Sequence, residues 1–447
     1  MNTSIVVLSE LVLSFSVFIY YLHIKLKCRG YLFSTFNIPF LIYTIVLLST
    51  NIFASQDQFW FALGFNSADK MRFFFLKSLH INTIGYLITT ITLLLLEFKP
   101  FNSKSVSILE NISTNLNRHF INYLFVIIIP IWYLIIYFYN GTLPILNNSR
   151  TFFLGKWYSS IYLAINLLLS DYLFYYGVNI IMKPKHIKYY IYSLLSFLTL
   201  LFTGSRSGCL FPVVCLLIFA IYYKKKSLIS GQFKIVLIGI FFLLIALSLV
   251  LVRSNGAVSK NNIIKELLYG NTFSDIRDGA MILHGFEDNY AKGYILGKTY
   301  IAAFLSFIPS YISTFRQNWA YGKFVTLGLF GWENHFGLRG GNAMEAYFNF
   351  GYIGIILFSI MQGFIMSKLE RIFYFVYYKR GERFDSRIVF CMTLLTSLLS
   401  FFICSASFYN FFLHIIVLLI IYYTSILSSY CIKRMRVNDD IYMHSAK

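Results

Sequence analysis

FINYLFVIIIPIWYLIIYFY, Phe120 to Tyr139, runs for twenty residues without a charge. At about 1.5 Å per residue a helix of this length reaches roughly 30 Å, the thickness of a bilayer's hydrocarbon core. A membrane β-barrel would need strands of about ten residues with strict alternation, and the stretch shows none. Similar runs recur along the chain at Ser4–Ile24, Thr35–Ala54, Leu76–Leu96, Trp157–Met182, Ile187–Thr203, Cys209–Tyr223, Ile235–Val252, Ala346–Met366, Ile388–Cys404 and Phe411–Leu427. Composition agrees. Residues are 58% hydrophobic and only 13% charged, with a mean hydropathy of +0.66. Soluble domains carry about 25% charged residues, so this chain has half the usual means of staying in water. The expected fold is all-α: a polytopic transmembrane helical bundle of about eleven helices.

The formal charge of +20 does not point to nucleic acid, because the basic residues are scattered in short interhelical loops and form no soluble basic face. They read as topology determinants. Lys25, Lys27 and Arg29 follow the first run; Lys99, Lys104 and Arg118 the third; Lys183, Lys185 and Lys188 the fifth. Lys224, Lys225, Lys226 and Lys234 follow the seventh, and six more follow the ninth, from Lys368 to Arg387. Lys433, Arg434, Arg436 and Lys447 lie in the tail. Lys and Arg concentrate on the cytoplasmic side, which places the odd-numbered loops and the C-terminus inside and the N-terminus outside. The first run lacks a basic leader and an AxA-like cleavage site, so it reads as a retained helix. The six cysteines lie in or beside apolar runs without CxxC spacing, and read as small buried hydrophobes.

One region departs from the pattern. Between helices 1–8 (residues 1–252) and helices 9–11 with the tail (346–447) lies a large external segment, 253–345, without a spanning run. Its apolar stretch Tyr300–Ile312 is too short to cross and contains Pro309, and reads as an interfacial or re-entrant helix. Long segments of this kind in compact proteins are usually functional.

Four external stretches carry candidate chemistry: Gly141–Arg150 (GTLPILNNSR), Thr203–Gly208 (TGSRSG), Gly270–Ala280 (GNTFSDIRDGA) and Glu333–Gly351 (ENHFGLRGGNAMEAYFNFG). In TGSRSG a turn rich in hydroxyls and backbone N–H groups presents Arg206, whose planar fork suits phosphate oxygens; a plain turn with an arginine at lipid phosphates reads equally well. In the third stretch Ser274, Arg277 and Asp278 share one helical face, as a diphosphate site or as a salt-bridged helix start. In the fourth, His335 is a base suited to neutral pH, although a lone loop histidine is more often a bystander; Glu345 competes with it. Within the spans, Asp171 and Glu10 are the isolated ionisable residues, and an Asp bonded to a neighbouring Tyr or Ser is as plausible as a functional one. Phosphate-loop, HExxH, G-x-S-x-G and D-x-D motifs are absent. External group transfer needs a donor activated within the membrane, and a lipid diphosphate is such a donor.

These stretches, with the FIPS run at 307–310 and EAYFNFG at 345–351, resemble the Wzy-type O-antigen polymerase family (oligosaccharide repeat-unit polymerases). The resemblance implies a GT-C-like bundle acting on undecaprenyl-diphosphate-linked oligosaccharide at the external face of the cytoplasmic (inner) membrane. The growing glycan would pass from its carrier to the non-reducing end of a new lipid-linked repeat unit. Carried onto this chain, Arg206 and Arg277, then Arg150 and Arg339, become diphosphate-binding residues; Glu345, His335 or Asp278 becomes the base. No cofactor or metal is implied. Expected partners are membrane lipid, a chain-length regulator and a flippase of the same pathway, and not nucleic acid. The alternatives are an O-antigen ligase or other lipid-linked glycosyltransferase and, from another class, a lipid-linked oligosaccharide flippase.

Overall fold

A computed structural model describes residues 3–29, 68–98, 104–139, 159–203, 275–290, 293–308, 312–332 and 340–374, with shorter pieces at 141, 143–144, 212–213, 215–217, 219–220, 338, 387–388, 415–417, 419–428 and 430. The expected runs at Thr35–Ala54 and Ile235–Val252 and nearly all of Ile388–Cys404 lie outside these residues, and those at Cys209–Tyr223 and Phe411–Leu427 are described only in part.

The described elements are helical: α1 (Thr3–Arg29), α2 (Ala68–Glu97), α3 (Lys104–Asn115), α4 (Arg118–Tyr139), α5 (Ser159–Met182), α6 (Ile187–Phe202), α7 (Asp275–Asn289), α8 (Lys298–Phe304), α9 (Thr314–Trp319), α10 (Tyr321–Lys323, running into a π-helical turn Phe324–Gly328) and α11 (Asn342–Phe373). Five of them, α1, α2, α4, α5 and α11, are long and apolar enough to cross a membrane. The protein is an α-helical, multi-pass membrane protein. Outward-facing side chains such as Leu8, Val12, Leu95, Ile127, Tyr137, Ile353 and Leu357 are exposed on the protein, as expected where lipid is the solvent.

The chain divides into two compact units, Met1–Phe101 with Lys225–Tyr374 and Leu398–Phe411, and Asn102–Lys224 with Phe375–Ser397 and Phe412–Lys447. The segment read as a large external loop belongs in its described part to the first unit, where α7 packs along α2.

In the first unit α1, α2 and the long arm of α11 run parallel. Glu10 meets His80 Nδ1 at 2.8 Å near one end of the α1–α2 pair, and Arg29 Nε meets Glu97 at 2.5 Å at the other. Gly85 of α2 lies against Ile355 and Ser359, and Thr92 lies against Gly363. These elements take the first, third and ninth places in the sequence reading, and odd places require one common direction. α1 and α2 are longer than the apolar runs that announced them. The cations counted as loop residues, Lys25 and Arg29, form the last turns of α1, where a helix C-terminus favours positive charge. Lys25 is fully buried and bonded to Glu370, which also accepts from Tyr21 Oη at 2.9 Å. The spans therefore carry more charge than their apolar runs suggest, gathered at one end.

In the second unit α4 and α5 are antiparallel: Trp132 Nε1 donates to Asn166 Oδ1 at 2.8 Å, and Tyr172 Oη to the Ile121 carbonyl at 3.0 Å. α6 returns parallel to α4 after a tight turn at 183–186, with Phe125 against Tyr192 and Tyr133 near Thr199. The alternation again follows the sequence order. α3, expected as loop, is a helix whose end is met by Arg387 Nη1, which donates to the Thr114 carbonyl at 2.9 Å and to that of Leu116, just beyond the helix, at 2.7 Å.

Candidate functional site

α11 is not one rod. At Gly351 the backbone takes φ 65° and ψ −151°, a conformation essentially confined to glycine, and the helix breaks. Arm α11a (342–350) folds back on arm α11b (352–373): a Cβ on Gly354 would collide with the Ala346 carbonyl oxygen. A Cβ on Gly85 would meet both Ala343 and Ile355. In a straight helix those two residues would stand about 18 Å apart. The apolar run predicts a spanning helix from Ala346; in the structure the helix breaks at Gly351, and residues 342–350 fold back as the short arm of a helical hairpin.

The break orphans the last carbonyls of α11a, and the chain ahead of α8 satisfies them. Ile295 N–H donates to the Phe348 carbonyl at 3.0 Å and Leu296 N–H to the Asn349 carbonyl at 3.1 Å. α11a is enclosed along nearly its whole length, with residues 341–349 buried. Asn342, Glu345 and Asn349 occupy one face of it by i, i+3 and i+7 spacing, and all three are buried. Asn349 Nδ2 donates to Thr299 Oγ1 at 2.7 Å and to the Glu345 carbonyl at 2.8 Å.

α8 and α10 close the cluster. Tyr300 lies close enough to Glu345 and Tyr321 for both to act on its hydroxyl, which is buried although the residue is partly exposed. Burial pushes that hydroxyl well above the usual tyrosine range, with the Glu345 charge and then Tyr321 adding to the effect. Tyr300 therefore stays protonated and remains a hydrogen-bond donor beside the carboxylate. The Tyr321 hydroxyl sits against Gly340, at the entry to α11a.

α7 brings the other expected residues alongside. Ser78 Oγ of α2 donates to the Ile276 carbonyl at 2.9 Å. Gly279 permits a close three-way contact, because a Cβ there would lie 2.6 Å from Ser78 Oγ and 3.1 Å from Met344 Cε. Asp278 precedes Gly279 and Glu345 follows Met344, so this contact draws the two carboxylate-bearing turns together. Arg277 directs Nε (3.0 Å) and Nη2 (2.9 Å) onto one oxygen of the buried Asp278 carboxylate. Outward of this contact, Lys77 pairs with Glu287 and Lys70 with Asp288. Lys70 holds the Asp288 carboxyl below its usual range.

Of the residues singled out in the sequence, Arg277, Asp278 and Glu345 thus fall in one region, while Arg150, Arg206, His335 and Arg339 lie outside the described residues. Asn342, Asn349, Thr299, Tyr300 and Tyr321 were not singled out; their only sequence signal is polarity within or beside apolar runs. Among the described residues no group of three or more His, Cys, Asp or Glu could hold a metal ion. A groove of about 290 Å³ between the N-terminal halves of α1 and α2, lined by Val6, Val7, Phe73, Leu76, Lys77 and His80, opens beside this region. Lys77 lies 5.8 Å from the Tyr347 ring centroid. Comparison with known families, characterised proteins and solved structures finds no match to this chain.

Proposed function

We propose that the chain is a Wzy-type repeat-unit polymerase that uses undecaprenyl-diphosphate-linked oligosaccharide as both donor and acceptor at the external face of the cytoplasmic membrane. The observation that carries the reading is Glu345, a carboxylate enclosed in a re-entrant hairpin beside the turn that bears Arg277. In the proposed reaction an acceptor sugar hydroxyl attacks the anomeric carbon of the donor glycan and forms the new glycosidic bond. The bond from that carbon to the diphosphate oxygen breaks, and undecaprenyl diphosphate leaves with the electron pair. Glu345 takes the acceptor's proton. Arg277, oriented by Asp278, stabilises the leaving diphosphate; Arg206, Arg150 and Arg339 are the further diphosphate-binding candidates that the sequence offers. Tyr300 donates a hydrogen bond beside Glu345. The apolar groove between α1 and α2 is suited to the carrier's isoprenoid chain. The N-terminus is outside and the C-terminus is cytoplasmic in this arrangement.

The test has two parts. A deletion strain should lose the long surface-glycan ladder and keep a single repeat unit on its acceptor core. Loss of every repeat-bearing band would point to ligation or flipping instead, and an unchanged ladder would remove the chain from this pathway. Complementation with Glu345→Gln should then fail to restore the ladder at normal protein level; a full ladder would take Glu345 out of the reaction.

A further inference from the structure

The segment from Asn289 to Trp332 contains Lys292, Lys298, Arg316 and Lys323 and not one Asp or Glu. Its charge runs against the rule that explains the other cations. α7, just ahead of it, is tied by Lys70–Asp288 and Lys77–Glu287 to the N-terminal turns of α2, on the side where the short loops hold few basic residues. Topology therefore does not account for these cations.

Their setting is a membrane boundary. The Tyr300 ring stacks on Phe350 and on Phe358, with centroids 6.4 and 6.2 Å away, so α8 lies beside the outer turns of the spanning arm α11b. α8 buries Thr299, Ala302 and Ala303 and turns the opposite stripe outward: Lys298, Ile301 and Phe304, at i, i+3 and i+6. One cation followed by exposed apolar side chains along a helix face is the pattern of an element lying in the headgroup region. Ile312 and Leu327 extend the exposed apolar surface. The cations are ordered rather than loose. The Lys298 ammonium sits 4.3 Å from the centroid of the Trp319 ring. Arg316 is buried and donates to the Ile308 carbonyl. Burial and then the nearby Arg316 charge lower the affinity of Lys323 for its proton, so these two like charges feel one another.

We propose that α8–α10 form a docking surface for anionic phospholipid: Ile301, Phe304 and Ile312 enter the acyl boundary, Lys298 and Lys323 hold headgroup phosphates, and Arg316 adds its charge from beneath them without touching the lipid. An anionic headgroup relieves the mutual repulsion of the cations, and the exposed apolar stripe leaves water at the same step. The inference stands apart from the glycan reading and requires only that the protein is in a membrane.

The test is hydrogen exchange of the full chain in nanodiscs of phosphatidylcholine alone and in a mixture with phosphatidylglycerol. Exchange in 298–304 and 314–328 should slow by about tenfold in the mixture, on the scale of a few membrane-bound cations. The double variant Lys298→Gln/Lys323→Gln should lose that difference while peptides from 68–97 and 352–373 keep their protection. Ile301→Ser should speed exchange in both lipids, which tests the apolar half by itself. Equal exchange of the wild type in the two discs overturns the proposal, as does a double variant that keeps the full lipid dependence. Slowing reproduced by inorganic phosphate in phosphatidylcholine discs would make this a soluble-anion site and would also overturn it.

Discussion

Gly351→Ala should open the hairpin on which the candidate site is built. The backbone at this position, φ 65° and ψ −151°, is in a region that costs a residue with a Cβ about 1–3 kcal/mol. The added methyl would also lie 2.7 Å from the Tyr294 ring, so that ring or the hairpin must shift. Opening further gives up the Ile295–Phe348 and Leu296–Asn349 bonds, at about 1 kcal/mol each. Keeping the hairpin costs the strain and opening it costs the bonds, so the loss is the smaller of the two, roughly 1–3 kcal/mol, still a sizeable share of the stability of an ordinary domain. The assay is a short bis-thiol cross-link between Ala343→Cys and Ile355→Cys, with the six native cysteines replaced. These side chains meet around Gly85 in the hairpin and stand about 18 Å apart in a straight helix. Cross-linking should be efficient when Gly351 is kept and fall steeply in Gly351→Ala, together with a lower unfolding temperature. Gly354→Ala is the steric counterpart: its Cβ would collide with the Ala346 oxygen without any positive φ, so it should also lower cross-linking. Efficient cross-linking and unchanged melting in Gly351→Ala would refute the hairpin argument.

Lys25→Met should destabilise the protein by about 3–5 kcal/mol because it leaves the buried Glu370 without its ammonium partner, and Lys25→Met/Glu370→Met should recover most of the loss. Melting curves of the single and double variants decide this, and equal loss in both would remove the ion pair as the cause. Acid should loosen α7 from α2 through Asp288. Its pKa is depressed by the Lys70 hydrogen bond, so its contribution is complete above the ordinary carboxylate value near about 4 and fades as pH falls through the lower folded value. The protection factors of 275–289, which divide out the pH dependence of intrinsic amide exchange, should therefore be flat as far as this group is concerned from neutral pH to about pH 5, and fall below about pH 4. Since Asp288 is exposed, strong salt should mute the effect. Under the proposed function, Arg206→Ala should abolish the glycan ladder and Arg206→Lys should restore little of it, because lysine lacks the bidentate fork. A full ladder from normally expressed Arg206→Ala would end that assignment.

The spans were legible in the sequence because hydropathy measures what membrane burial requires. The α5 and α6 runs were placed to within two residues of the observed helices, and the parallel and antiparallel pairings follow the order that Lys and Arg counting gave. The hairpin was not legible as such. EAYFNFG drew attention and Glu345 was singled out, but the residues on both sides of Gly351 are apolar at helical spacing, so no periodicity marks the reversal. One positive φ does it, and hydropathy does not register a dihedral. The ends of α1 and α2 were missed for a different reason. Lys25 and Arg29 look like loop cations until Glu370 and Glu97, 345 and 68 residues away in the chain, are brought beside them. Tyr300 and Asn349 were invisible for the same reason: each gains its chemical character only from neighbours supplied by another element.

The polar face of α11a bears on the choice between a structural and a chemical role for Glu345. Asn342, Glu345 and Asn349 lie in a helical arm that is buried nearly throughout, where an apolar residue would pack at lower cost. Asn349 has a structural role through its bonds to Thr299 and to the Glu345 carbonyl. Those bonds use only the main chain of Glu345. Removing its carboxylate therefore leaves the stitch between α8 and α11a intact. Under the proposed function this carboxylate takes the acceptor's proton, a role that the stitch neither requires nor obstructs. The same reasoning separates the two residues by experiment: Asn349→Leu should loosen α8 from α11a, whereas Glu345→Gln should leave that contact in place.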